Sequence, residues 1–146
     1  MKLLTFIQNN QFRLGVKTEH GVLDVAAALS DVSTEKCIPT TIHEVIDGGS
    51  NALEILLEYV DVTLRLFDEK KDYMLKESTL TLGPCVTHPN KIICVGLNYR
   101  KHAEETNSLV PEFPILFNKF NNTLTGHGED VPLPSASQKV DYEAEL

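Results

Sequence analysis

The chain has 146 residues and a formal charge of −8, from 21 acidic against 13 basic side chains, with 42% of residues hydrophobic and 23% charged. This length suits one ordinary domain and is small for a two-domain enzyme, and the composition is globular rather than disordered or fibrous. The negative balance repels a phosphate backbone, no apolar run approaches the roughly 18 residues of a membrane helix, and residues 1–10 are too short an apolar run for a secretory signal, so the expectation is a cytoplasmic protein with neither a nucleic-acid nor a membrane partner.

In chain order, Leu3 to Ile7, Phe12 to Lys17 and Gly21 to Val25 are short apolar runs separated by Asn9-Asn10 and Glu19-His20-Gly21, which reads as a small β-meander. Thr41 can cap a short helical segment ending near Gly48-Gly49. Asn51 with Glu54 forms a second cap-like pair ahead of Leu53, Leu56, Leu57 and Val60, a stripe that predicts an amphipathic helix over the sheet. Thr79-Leu80-Thr81-Leu82 alternates as a strand, then Gly83-Pro84 and His88-Pro89-Asn90 break the chain twice. A domain boundary is therefore expected in residues 84–90. Beyond it the pattern reads as a buried strand, a short helix, a second strand, a long loop and a third strand from Val140 to Leu146.

Cys37, Cys85 and Cys94 are odd in number and lack C-x-x-C spacing, so free and mostly packed thiols are expected rather than disulfides or a zinc site. His20, His43 and His88 have no carboxylate or cysteine at ligand spacing, which favours solvated or capping roles, and no ligand role is assigned to His127. No nucleophile elbow, phosphate loop or dinucleotide fingerprint occurs.

The run Lys91-Ile92-Ile93-Cys94-Val95-Gly96-Leu97-Asn98-Tyr99-Arg100-Lys101-His102-Ala103-Glu104-Glu105 resembles the opening of the fumarylacetoacetate hydrolase catalytic domain. Pro114 to Lys119, Val131-Pro132-Leu133-Pro134 and Val140 to Leu146 follow in the family's order. The first 80 or so residues are also similar, with weaker motifs, to the small N-terminal domain of bacterial members. The implied fold is α+β, mainly β. A small N-terminal α+β domain of meander and helices would span residues 1–84, and the beginning of the β-rich catalytic domain residues 85–146.

Glu143 and Glu145 are two apart, so on a strand both carboxylates leave one face and can converge on a hard divalent cation. From spacing alone a solvated acidic face is the commoner explanation; the resemblance places these glutamates at the family's first two metal ligands. Mg²⁺ is the leading ion, with Mn²⁺ or Ca²⁺ as alternatives. His102 and Glu105 are neighbours at i and i+3 of a helix, where a carboxylate can orient an imidazole; the resemblance makes them the general-base dyad. It also turns Lys119 toward a substrate carboxylate or enolate oxygen, and Tyr99 is a second candidate substrate contact.

The resemblance thus implies a metal-dependent hydrolase, isomerase or decarboxylase of 1,3-dicarbonyl or 2-oxo acids, of acylpyruvate or fumarylacetoacetate type, taking a small keto or enol acid as substrate. A third acidic ligand would lie beyond Leu146, so the chain is expected to be an incomplete N-terminal portion, inactive by itself and associating with a second copy as a homodimer or with the remainder of its own polypeptide. The competing reading is a non-catalytic truncated or assembly module without a complete active site.

Overall fold

The computed structural model of the chain describes residues 1–68 and 71–142. Lys2–Gln8 (β1), Gln11–Thr18 (β2) and Gly21–Asp24 (β3) form the expected meander, each strand antiparallel to the next. Asn9 and Asn10 both adopt positive φ, 52° and 59°, as a two-residue hairpin requires when its twist matches that of the strands. Met74–Leu75 (β4) adds to β3 and Thr81–Leu82 (β5) to β1, giving a five-stranded sheet of order β4-β3-β2-β1-β5.

The expected strand at residues 79–82 is only half present. Glu77–Thr79 is a 3-10 turn, and pairing begins at Thr81, opposite Ile7.

Val25–Ala28 (α1) is a single turn whose Ala27 N–H is accepted by the Asp24 carboxylate. The long helix is Ile42–Arg65 (α2), and a capping box starts it: Thr41 Oγ1 accepts the Glu44 N–H, and Glu44 Oε2 accepts the N–H groups of Thr41 and Thr40. Both expected helical segments exist, joined through a kink at Gly49, where φ is 58° and ψ is −140°.

The helix buries Val45, Ala52, Leu56, Tyr59, Val60 and Thr63. They join Leu14, Val16, Leu23, Val25, Ala28, Ile38 and Tyr73 in the core. The predicted stripe is corrected here. Leu56 and Val60 point inward, but Leu53 and Leu57 are 43% and 53% exposed, because Ala52 and Tyr59 rather than their neighbours face the sheet.

Ile92–Gly96 (β6) and Ile115–Lys119 (β7) make an antiparallel two-stranded ribbon, linked by Arg100–Glu105 (α3). β6 is not the buried strand that its apolar run suggests, since a two-stranded ribbon offers two open faces and Ile93 is 63% exposed. A 3-10 turn at Asn121–Thr123 opens the long loop. Val140, Asp141 and Tyr142 form no strand, for among the described residues nothing pairs with them; the rest of that expected strand lies outside the described residues.

Two of the three thiols also depart from expectation. Cys37 and Cys85 are exposed in connecting segments, and Cys94, on β6, is half-buried. Among the described residues no helix is long and apolar enough to cross a membrane. The architecture is α+β, built on two antiparallel sheets.

Candidate active site

The candidate site grows from the end of β6. After Gly96 the chain turns through Leu97, a non-glycine residue at φ 50°, so the local path is held against an unfavourable backbone conformation. Tyr99 follows in extended conformation as the N-cap of α3, with 43% of its surface exposed. The helix is short and depends on Ala103, which is fully buried.

His102 sits one residue earlier on the helix and is half-buried. Its carbonyl accepts both the N–H and the Oγ1–H of Thr106, at 3.1 and 2.9 Å, and Ser108 N–H closes on the Ala103 carbonyl at 2.8 Å. Asn107 then ends the helix at φ 53°. These bonds fix the backbone from which the imidazole projects. Glu105 lies on the same helix three residues on and is exposed.

Lys119 ends β7 opposite Ile92, at the other end of the ribbon from the Gly96–Ile115 pair that leads into the Leu97 turn. Four residue steps separate the two pairs, roughly 13 Å along a strand. His102, Glu105 and Tyr99 thus share one turn and helix, and Lys119 comes from the far end of the strand pair.

A half-open cleft of about 340 Å³ lies against the turn, with Gly96, Leu97, Asn98, Arg100, Glu112 and Phe113 among its lining residues. Another, of about 510 Å³, surrounds the Lys119 end and includes Lys91, Asn118 and Asn121. Glu143 and Glu145, the expected metal ligands, lie outside the described residues. Among the described residues no group of three or more His, Cys, Asp or Glu side chains gathers as a metal centre would require.

One cluster escaped the sequence reading. His43, on the first turn of α2, accepts the backbone N–H of His88 on Nε2 at 3.0 Å, and the two rings stack with centroids 6.0 Å apart. Phe12 meets the His88 ring edge-on at 5.9 Å. With the histidines 45 positions apart, no local spacing rule could have paired them.

Comparison with known proteins gives a consistent result. Residues 91–146 match the profile described as Fumarylacetoacetate (FAA) hydrolase C-terminal. The chain is 32% identical over 136 residues to Oxaloacetate tautomerase fahd2, mitochondrial, of Xenopus laevis, covering 92% of this chain and 38% of that one. It is likewise 32% identical over 133 residues to Oxaloacetate tautomerase FAHD2A, mitochondrial, of Homo sapiens, covering 91% and 38%. An uncharacterized protein of Archaeoglobus fulgidus is 59% identical over 87 residues, 60% of this chain and 33% of that one. The crystal structure of an HpcE-like protein from Mycobacterium smegmatis superimposes with a TM-score of 0.62 at 26% identity, over 93% of this chain and 42% of that chain. The chain spans less than half the length of the curated relatives it matches.

Proposed function

Starting from a chain that belongs to the fumarylacetoacetate hydrolase family, we propose that the protein is a keto–enol isomerase of small 2-oxo acids, of the oxaloacetate type, using the His102–Glu105 pair. The family reading supports an enzyme of isomerase or hydrolase type; the narrower choice of isomerisation rests on the tautomerase names of the relatives. The observation that carries it is the placement of His102 and Glu105 on one short helix whose backbone is fixed by Thr106 and Ala103; of that helix Arg100 lines the neighbouring cleft, and neither His102 nor Glu105 does.

The chemistry is one proton moved between two atoms of the substrate. His102 takes the proton from the carbon next to the 2-oxo group and hands it to the resulting enolate oxygen, and the reverse steps restore the keto form; no bond between heavy atoms breaks. Glu105 orients the imidazole and steadies its charged form. Tyr99 and Lys119 are the proposed contacts to the substrate's carboxylates. Enzymes of this family generally use a divalent metal, and Glu143 and Glu145 would hold it here. Hard oxygen donors suit Mg²⁺ or Mn²⁺, which when bound supplies Lewis-acid polarisation of the 2-oxo group.

The test follows the enol-to-keto conversion of oxaloacetate by ultraviolet absorbance, with Mg²⁺ or Mn²⁺ added, and is run on the whole protein that carries these residues. His102→Gln should lower kcat about 10²- to 10⁴-fold with little change in KM. Chelation should abolish turnover, and Glu143→Gln or Glu145→Gln should raise the metal concentration needed. Acylpyruvate cleavage run in parallel separates hydrolysis from isomerisation. If neither substrate is consumed and calorimetry with Mg²⁺ and Mn²⁺ gives no heat, the protein is a non-catalytic module and the proposal fails.

A further inference from the structure

Residues 84–90 lie between β5 of the five-stranded sheet and β6 of the ribbon, and a histidine ties this joint to α2. His43, the second residue of α2, is half-buried, and its Nε2 accepts the His88 N–H at 3.0 Å. Among the described residues this is the one hydrogen bond from the joint to the helix. The His88 ring stacks on the His43 ring, with planes 15° apart, and Phe12 of β2 meets the His88 ring edge-on. Thr87, the residue before His88, is buried.

The chemistry of this bond makes it conditional. An imidazole nitrogen accepts only while it carries no proton, and in the imidazolium both ring nitrogens are donors. A proton on His43 Nε2 would set one N–H against another, so it abolishes the bond rather than weakening it. The charge would also sit at the positive end of α2 and against a second stacked imidazole. Histidine is the side chain that ordinarily changes charge between about pH 5 and 8.

The other charged and titratable groups around His43 do not replace the lost bond. Arg13 of β2 lines the same cavity, and its Nη1 and Nη2 donate to Gln8 and Asp24. On α2, Glu44 accepts the N–H groups of Thr40 and Thr41, and Asp47, one turn further on, is exposed to water. The joint contributes His88 itself and the exposed Cys85, and β1 contributes the uncharged Thr5. Among the described residues no carboxylate forms an ion pair with His43.

We propose that His43 is a pH-operated latch on residues 84–90, closed while its ring is neutral and open once the ring takes a proton from solvent, which frees the joint between the two sheets. Because the closed form needs the neutral ring, the latch holds at the upper end of the histidine range and lets go as pH falls through it. This device is separate from the His102–Glu105 pair and does not depend on the activity proposed for it.

Hydrogen exchange of residues 84–90, read by mass spectrometry on the whole protein and expressed against the intrinsic chemical rate at each pH, tests the latch. Protection of this segment should fall about tenfold between pH 8 and pH 5, the loss expected for one hydrogen bond, while that of β2 stays constant. His43→Gln, which offers an acceptor near the position of Nε2 but does not titrate, should remain protected at both pH values. His43→Phe, which keeps a ring without an acceptor, should be unprotected at both; if it fails to fold, His43→Gln decides. His88→Gln keeps the backbone donor and should keep the pH dependence, which assigns the titration to His43. The proposal is overturned if the parent is equally protected at both pH values, if His43→Gln loses protection on acidification as the parent does, or if His88→Gln abolishes the dependence.

Discussion

Arg13 Nη2 lies 2.8 Å from Asp24 Oδ1, and the same oxygen accepts the Ala27 N–H at 3.1 Å, so one carboxylate ties β2 to β3 and also caps α1. The Asp24 side chain is only 2% exposed, whereas Arg13 retains 25%. Removing the acid would leave a guanidinium partly buried without its counter-charge and a helix start without its acceptor. Asp24→Ala is therefore expected to destabilise the fold by about 2–4 kcal/mol, less than the figure for a fully buried pair because water reaches Arg13. Asp24→Asn, which keeps a cap acceptor, should lose roughly half as much. Urea midpoints at constant slope measure both.

The two adjacent leucines of α2 give a sharp contrast. Leu56 is fully buried in the core and Leu57 is 53% exposed. Leu56→Ala should cost about 2–5 kcal/mol through lost burial and the cavity left behind. Leu57→Ala should stay within about 0.5 kcal/mol of the parent, as surface substitutions do. Equal costs for the two would show that the inward face of the helix is misassigned.

Tyr59 provides a pH test. Burial pushes its phenol above the ordinary value of 10.0, with neighbouring Tyr73 and Asp31 adding to the rise. The folded state thus favours the protonated phenol. Its contribution is fully present below the unfolded value and is lost as pH rises through the folded one, so the effect appears above about pH 10. Tyr59→Phe should flatten that part of the stability profile. At neutral pH it should cost about 1 kcal/mol, because the hydroxyl donates to the Val32 carbonyl at 3.1 Å. Denaturant melts at pH 8 and at pH 10.5 compare the two.

The kink of α2 depends on Gly49, whose backbone sits at φ 58°. A Cβ added there meets no atom within 4 Å, so Gly49→Ala isolates conformational strain from crowding. It should destabilise by about 1–3 kcal/mol, read from the melting temperature. An unchanged melt would mean that the helix straightens through this point without cost.

The three-stranded meander, the Thr41 cap and the break in α2 were legible because each is governed by residues close in sequence, whereas the reciprocal partner of that cap is Glu44 and the expected Asn51–Glu54 pair lies inside the helix. Asn9-Asn10 supplies the positive φ angles of a tight hairpin, Thr41 with Glu44 closes the helix start, and a glycine admits the kink. The strand and short helix carrying Tyr99, His102 and Glu105 were likewise readable as a motif, through family resemblance rather than through spacing. Less was readable where two helical phases fit one apolar run: Leu53 and Leu57 satisfied the periodic pattern as well as Ala52 and Tyr59 did.

What the sequence determined by itself was therefore the local punctuation and the order of the chemical motifs, since turn geometry, capping and side-chain alternation are set within a few residues. Tertiary structure alone decided which face of α2 meets the sheet, that β6 lies in an open ribbon, and that His43 meets His88 beside Thr5. These outcomes depend on contacts between residues tens of positions apart, and the free energy of such contacts comes from surfaces that become neighbours only after the chain has folded.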